Sequence, residues 1–305
     1  MAEPRGALDE VLVIELGEWV SAPFATRLMA DMGADVVKIE RAGRGDPARD
    51  VPPFATEGDR DTGALYCYLN AGKRSVTMDV DDTAGQRILL RMLESADVFV
   101  TDLPARALRA RGLDPAAVLP RCPHLIFASV TPYGLSGPYA DLPACDLTAC
   151  ALGGQMHPTG MPNREPLRPA GFQADYLAGL HAFGATVAAL YDAKICEVGG
   201  LVEIAAVEAM AASAHSRGQA SAAQAAGRSG ETPATGEVPV PDLARVVDGP
   251  GGETLRFPGP PLRMSVTPLE PGRPPRLGEH TEAVLVDDFG MPPSELSRLR
   301  EAGVL

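Results

Sequence analysis

A single acidic residue, Asp175, stands at the start of an otherwise apolar stretch over residues 171–190. Apolar residues recur there at steps of three and four, which predicts a helix with one face toward a core. An aspartate at a helix start commonly acts as an N-cap, because its carboxylate accepts a backbone N–H. The helix dipole would also hold such a carboxylate ionised and aimed at a ligand. This stretch alone leaves both interpretations open, a cap and a catalytic group.

Before this helix the chain alternates between predicted strands and helices. Short apolar runs predict strands near residues 11–16, 34–40, 73–80, 97–102 and 124–134, and helical patterns cover residues 22–33 and 81–96. Strands separated by helices form βαβ units, whose strands run parallel. The sequence therefore predicts an α/β fold, a doubly wound and mostly parallel Rossmann-like sheet.

The composition excludes several classes of function. The formal net charge of −13 argues against nucleic acid and anionic membranes as partners. No apolar run reaches membrane-spanning length and the N-terminus is polar, so we expect a cytoplasmic protein. The five cysteines form no Cys-x-x-Cys pair and the five histidines show no ligand spacing, so we expect no metal site.

A nicotinamide site is not indicated by the first strand–helix turn. That turn contains Gly17 but lacks the Gly-x-Gly-x-x-Gly pattern that cradles a pyrophosphate. Glu40 ends the second predicted strand, where a ribose-binding acid would lie, but it does not make a site without those glycines. The common nucleotide and hydrolase motifs are also missing.

Several segments, in order along the chain, resemble the class III CoA-transferase family, also called CaiB/BaiF. The matching segments are SAPFATRLMADMGADVVKIERAGRGDPAR (residues 21–49), LNAGKRSVTMDV (69–80), HLIFASVTPYGLSGPYADLPACDL (124–147), ADYLAGLHAFGATVAAL (174–190), GGLVEIAAVEAM (199–210) and PLRMSVTP (261–268). Because the matches span both ends of the chain, the sequence is identified as a member of this family.

The resemblance gives Asp175 the role of nucleophile. In transferases of this family, an aspartate at this place attacks an acyl-CoA thioester and passes through an anhydride to an aspartyl-CoA thioester. CoA or acyl-CoA is then a substrate, and no cofactor is bound permanently. The positions that the resemblance assigns to CoA contacts are Val20, Ser21, Arg41, Met78, Asp102, Arg109, Arg111 and Tyr133.

The sequence departs from the family where CoA phosphates are expected to bind. Asp81, Ala110 and Thr131 stand where the family has lysine or arginine. Losing such cations removes charge-assisted hydrogen bonds, so we expect weak CoA binding. Cys145 replaces the histidine of the family's racemases, which argues against a two-base racemase, and we expect Cys145 to be a core thiol.

The middle of the chain is shorter than in the family, whose smaller domain is largely absent. We therefore predict a Rossmann-like domain over residues 1–210, an Ala/Gly/Pro-rich linker over 211–258 and a C-terminal segment, 259–305, that returns to the main domain. Apolar residues for that docking are Leu277, Val284, Leu285 and Leu299. The resemblance also implies a homodimer.

Three functions remain open at this point. The first is a CoA transferase that moves CoA between carboxylic acids through Asp175. The second is an enzyme of the same fold that acts on a different acyl or carboxylate ligand in a specialised biosynthetic pathway. The third is a non-catalytic subunit that pairs with a full-length relative.

Overall fold

Six parallel strands form the central sheet in the computed structural model, in the order β3-β2-β1-β4-β5-β6. The strands are β1 Leu12–Leu16, β2 Asp35–Glu40, β3 Arg74–Thr77, β4 Val98–Thr101, β5 Ile126–Thr131 and β6 Gly200–Ala205. The structure describes residues 6–157, 159, 163–213, 244–258, 264–269 and 271–305. This strand order is that of a doubly wound Rossmann sheet, so the predicted fold class is confirmed.

Helices cover both faces of this sheet. They are α1 Ser21–Asp31, α2 Ala64–Asn70, α3 Thr83–Leu93, α4 Ala105–Ala110, α5 Pro115–Val118, α6 Asp146–Leu152, α7 Gln173–Cys196, α8 (residues 206–213) and α9 Pro293–Glu301. Val13 packs in the core beneath α1 and α7, whereas its neighbour Ile14 packs in the core beneath α3 and α9. Because both faces of the sheet are covered there, the strands β1, β4 and β5 are buried along nearly their whole length. None of the described helices combines the length and the apolar character needed to cross a bilayer.

The C-terminal segment returns to the β3 edge of the sheet. Its π-helical turn, Ala283–Asp288, and α9 bury Val284, Leu285 and Leu299 against the α3 side of the core. The backbone N–H of His280 donates to the carbonyl oxygen of Ser75 at 2.9 Å. Apolar burial and backbone hydrogen bonds therefore both hold the segment in place.

A hairpin lies inside the region that composition predicts to be a linker. Strands β7 Ala244–Asp248 and β8 Thr254–Pro258 pair antiparallel, and Val247, Leu255 and Phe257 pack against α2. The sequence-based interpretation missed this hairpin because Gly- and Pro-rich neighbours hide its short alternation of apolar residues. Residues 214–243 of the predicted linker lie outside the described residues.

A buried ionic cluster joins β1, β2 and the segment after β2. Lys38 lies 2.7 Å from Glu15 and 2.9 Å from Asp46, and all three side chains are excluded from solvent. Next to it Arg49 binds both carboxylate oxygens of Glu40, at 2.9 and 2.8 Å. Burial alone would raise the pKa of Glu40, but Arg49 outweighs it and lowers that pKa to about 2. The Glu40 carboxylate is thus held ionised inside the protein.

Replacing Arg49 with methionine should destabilise the fold by about 3–5 kcal/mol, because Glu40 would be left as an unpaired buried charge. The control is Arg300→Met, whose ion pair with Glu282 is largely exposed and should be worth less than about 1 kcal/mol. Urea unfolding at neutral pH measures both differences. Equal losses in the two variants would contradict the importance of the buried pair.

Candidate functional site

A cavity of about 470 Å³ opens at the carboxyl ends of β1, β4 and β5, beside the first turns of α1, α6 and α7. In a doubly wound sheet the strand order reverses between β1 and β4, which is where such folds bind ligands. The lining includes Val20, Ser21, Asp102, Leu103, Thr131, Cys145, Asp146 and Asp175. This space is called the first cavity below.

Asp175 is the third residue of α7 and does not cap it. The N-cap position is Phe172, which makes no capping hydrogen bond through its side chain. The buried carboxylate of Asp146 accepts the backbone N–H of Ala174 instead, at 2.7 Å. The N-cap interpretation of Asp175 is therefore wrong, because a residue from α6 already satisfies this end of the helix. Within the described ranges, no group donates a hydrogen bond to the Asp175 carboxylate.

Burial raises the pKa of Asp175 to about 6, and the neighbouring carboxylate of Asp146 adds to that rise. Asp175 is therefore mostly ionised at neutral pH, yet it has no donor among the described residues to stabilise its charge. The position in the first turn of α7 favours the ionised form through the helix dipole. Such a carboxylate is well suited to act as a nucleophile or base.

The start of α1 offers a backbone donor to the same cavity. No side chain caps α1 within the described residues, and its first turn contains no acidic residue. The N–H group of Ser21, at the first position of the helix, therefore remains for a ligand in the first cavity. A carbon added at Gly179 of α7 would lie 2.5 Å from the carbonyl oxygen of Ser21. Glycine at this position lets the two helix starts approach closely.

The turn between β1 and α1 is held by charged groups beneath it. Lys38 donates to the carbonyl oxygen of Gly17 at 2.8 Å, and Asp46 accepts the N–H of Trp19 at 3.1 Å. Asp102 accepts the N–H of Glu18 at 2.9 Å, and burial holds the pKa of Asp102 well above its usual range. These contacts fix the backbone that leads into α1.

A second cavity, of about 530 Å³, adjoins the first and shares Glu18, Asp102 and Leu103 with it. Its lining includes Arg41, Arg44, Met78, Asp81 and Arg111. Two of its three arginines are paired with acids: Arg41 lies 2.7 Å from Glu18, and Arg111 lies 2.5 Å from Asp81. Within the described ranges Arg44 has no ion-pair partner. The second cavity thus has cations, but most of their charge is compensated.

The structure brings most of the sequence-predicted contact positions to these cavities. Val20, Ser21 and Asp175 line the first cavity, Arg41, Met78 and Arg111 line the second, and Asp102 lines both. Two positions line neither cavity. Arg109 pairs with Asp141 at 3.2 Å, and the Tyr133 ring packs on Tyr139. The CoA-binding roles of all eight positions stay predictions.

Sequence reasoning missed the position of three residues at the site. Asp146 and Arg44 were not singled out, although Asp146 opens a short helix next to Cys145 in the sequence. Cys145 was expected in the core, but it is exposed and lines the first cavity. Cys145 occupies the N-cap position, directly before the first residue of α6. Hydrogen bonding with Thr148 lowers the pKa of its thiol. Among the described residues no cluster suited to a metal ion occurs.

The family model described as CoA-transferase family III matches residues 8–239. The chain belongs to CoA-transferase family III.

Two curated relatives illustrate the similarity. The chain is 36% identical to human succinyl-CoA:glutarate CoA-transferase over 184 aligned residues. The aligned region covers 60% of this chain and 41% of that protein. It is 33% identical to succinate–glutarate CoA-transferase of Agrobacterium fabrum over 215 aligned residues. That aligned region covers 70% of this chain and 54% of that protein. The chain therefore spans about half the length of the curated relatives it matches.

A solved structure agrees with the fold. A CaiB/BaiF family protein from Brucella suis superposes with a TM-score of 0.77 at 22% identity, covering 93% of this chain and 99% of that chain. At this identity the likeness shows the shared fold and nothing finer.

Replacing Asp175 with asparagine should stabilise the fold at pH 7.5 and much less at pH 4. The pKa rises from 3.8 to about 6 on folding, so ionisation costs folding free energy as pH rises through this window. The full cost, reached above pH 6, is about 1–3 kcal/mol. Urea unfolding of both proteins at the two pH values gives the difference.

The matched control is Asp192→Asn, an exposed acid on the same helix. Its effect on the free energy of unfolding should be nearly the same at pH 4 and pH 7.5. A pH-independent effect of Asp175→Asn would show that the carboxyl group does not titrate near pH 6.

Proposed function

We propose that this chain transfers CoA between carboxylic acids, with Asp175 as the nucleophile. The observation that carries the proposal is the half-buried Asp175 carboxylate, which has no hydrogen-bond donor among the described residues and faces the first cavity. Membership of CoA-transferase family III supports it, as do relatives named for transfer from succinyl-CoA to glutarate.

In the first half-reaction the Asp175 carboxylate attacks the thioester carbonyl carbon. The C–S bond breaks, CoA leaves as the thiolate, and an aspartyl–acyl anhydride remains. The thiolate then attacks the aspartyl carbonyl of the anhydride and releases the donor acid as a carboxylate. The resulting aspartyl-CoA thioester reacts with the acceptor carboxylate by the same steps in reverse, which regenerates Asp175.

The N–H group of Ser21 is suited to stabilise the oxyanion of each tetrahedral intermediate. It lies at the uncapped start of α1, and Ser21 lines the same cavity as Asp175. Preorganised donors of this kind contribute strongly to acyl transfer, because they need no reorganisation as charge develops. The buried cluster around Lys38 supports this function, since it holds the turn that leads into α1.

We assign the phosphates of CoA to the second cavity. It adjoins the first through Glu18, Asp102 and Leu103, and it contributes Arg41, Arg44 and Arg111. Arginine is suited to phosphate because its planar group donates two parallel hydrogen bonds. The ion pairs to Glu18 and Asp81 compete with a ligand for these arginines, which supports the expectation of weak CoA binding.

This competition favours one alternative function. An enzyme of the same fold whose ligand lacks the phosphates of CoA would need Asp175 and the first cavity but no free cations in the second. The other alternative, a subunit that pairs with a full-length relative, is favoured by the extent of the match, because the chain spans about half the length of the curated relatives it matches.

Replacing Asp81 with alanine should strengthen CoA binding by about fivefold, because Arg111 would lose a competing carboxylate. The gain should shrink as salt is raised. Calorimetric titration with CoA at low and moderate salt measures it. The control is Glu282→Ala, which releases Arg300, a residue that lines neither cavity, and should leave the affinity unchanged. Equal affinities in the wild type and Asp81→Ala would contradict a phosphate contact by Arg111.

Incubation with succinyl-CoA or acetyl-CoA should leave a covalent adduct on Asp175. Borohydride or hydroxylamine trapping followed by peptide mass mapping locates it. Asp175→Asn should form no adduct and show no CoA exchange with glutarate or acetate, because its amide is not a nucleophile. Asp192→Asn on the same helix should retain both properties.

Cys145→Ser distinguishes the carboxylate from the thiol in the same cavity. This variant should keep the adduct on Asp175. An adduct that maps to Cys145 and disappears in Cys145→Ser would replace Asp175 as the nucleophile. Full exchange activity in Asp175→Asn would contradict the proposed mechanism outright.

A further inference from the structure

The first cavity is lined by acids, and the described part of its lining includes no lysine, arginine or histidine. Its carboxyl groups belong to Glu18, Asp102, Asp146 and Asp175, and the other described residues of the lining are neutral. Asp175 is mostly ionised at neutral pH, because its pKa is about 6. The cavity is therefore electrically negative where a ligand would lie.

Two arginines contact these acids from outside the cavity. Arg41 lies 2.7 Å from Glu18, and Arg168 lies 3.9 Å from Asp146. Neither arginine lines the first cavity, and more than half of each side chain is exposed to solvent. These arginines compensate part of the acidic charge, but they leave no cation inside the described lining for a second carboxylate on the ligand.

A neutral hydrogen-bonding group of the lining lacks a partner. Thr131 ends β5 and lines the first cavity. Its side chain is buried, and its hydroxyl oxygen makes no hydrogen bond with any described residue. An apolar ligand that covered this hydroxyl would leave it unsatisfied, which costs free energy. A hydroxyl or carbonyl oxygen on the ligand would instead accept its proton.

We propose that the first cavity selects an acyl group that carries no second charge and whose chain bears a hydroxyl or carbonyl oxygen for Thr131. The inference rests on the proposed function, because it takes the ligand to be an acyl thioester placed for attack by Asp175. Thr131 is then a specificity-determining residue.

The charge of the cavity is the reason to exclude dicarboxylic acids. A distal carboxylate would lose its hydration on entering and would find no cation in the described lining to replace it. It would also face acids of like charge, which disfavour its ionised form. The preferred acids therefore differ from succinate and glutarate, which appear in the names of the two curated relatives.

Binding of thioesters to the Asp175→Asn variant tests the charge selection without any transfer. Pantetheine thioesters are suitable because they lack the phosphates that the second cavity would bind. Glutaryl-pantetheine should bind about tenfold more weakly, or worse, than its monoamide, which has nearly the same shape and no charge. Calorimetric titration measures both affinities. Glutaryl binding as tight as that of the monoamide would overturn the inference, as would no binding of either thioester up to about 5 mM.

The contact with Thr131 is tested by comparing two buried hydroxyl groups on one strand. In Asp175→Asn, the better of 2- and 3-hydroxypentanoyl-pantetheine should bind about fivefold more tightly than pentanoyl-pantetheine. Adding Thr131→Val should remove this advantage, whereas Thr131→Ser, which keeps the hydroxyl, should retain it. The matched control is Ser129→Ala, because the Ser129 hydroxyl is also buried without a partner among the described residues but lies outside the lining. This control should keep the advantage.

The remaining outcomes separate this inference from the proposed function. An equal loss of affinity for every thioester in Thr131→Val would assign its hydroxyl to the pantetheine arm and overturn the acyl contact. An advantage that survives Thr131→Val, or that is lost in Ser129→Ala, would also overturn it. Selective binding without an adduct on Asp175 in the wild type would refute CoA transfer and leave the selection standing. An adduct that forms equally fast from glutaryl-CoA and its monoamide would support transfer and refute the selection.

Discussion

The position of the candidate site depends on one buried lysine. Lys38 has no exposed side-chain surface and bridges Glu15, Asp46 and the carbonyl oxygen of Gly17. An ammonium group in such a place must be fully paired, because an unpaired buried charge costs several kcal/mol. Lys38 and its partner Asp46 also bond to the turn from β1 into α1, at Gly17 and Trp19, and so hold that turn in place. The start of α1 reaches the first cavity as a consequence.

Opposing electrostatic effects meet at Asp175. The starts of α1 and α7 both face the first cavity, and their dipoles favour a negative charge there. Burial and the carboxylate of Asp146 act against that charge and raise the pKa of Asp175 to about 6. Asp146 cannot move away, because its hydrogen bond to Ala174 holds the start of α7. The same residue thus orders the helix and keeps Asp175 poorly stabilised, which suits a group that must attack a carbonyl.

The fold was predictable from the sequence because its signals are local and repeated. Apolar strands between amphipathic helices specify a parallel α/β sheet, and the family motifs pointed to Asp175 and to eight contact positions, six of which line the two cavities. The details depend on contacts between distant segments. That Asp146 and not Asp175 satisfies the start of α7 follows from the packing of α6 on α7, which no spacing along the chain reveals. The hairpin of β7 and β8 is equally hidden, because only burial against α2 distinguishes its strands from a linker.

The two cavities differ in how far their chemistry is retained. In the first cavity the carboxylate, the backbone donor and the close helix approach at Gly179 are all present together. In the second cavity Asp81 pairs with Arg111, and Glu18 pairs with Arg41. An exposed ion pair of this kind contributes at most about 1 kcal/mol, whereas an arginine–phosphate contact is a stronger charge-assisted bond. Under the proposed function, a phosphate of CoA would therefore displace Asp81 from Arg111 at a cost in affinity. The first cavity, at Asp175, thus keeps a complete set of groups for acyl transfer, whereas the second cavity keeps arginines whose charge is mostly paired.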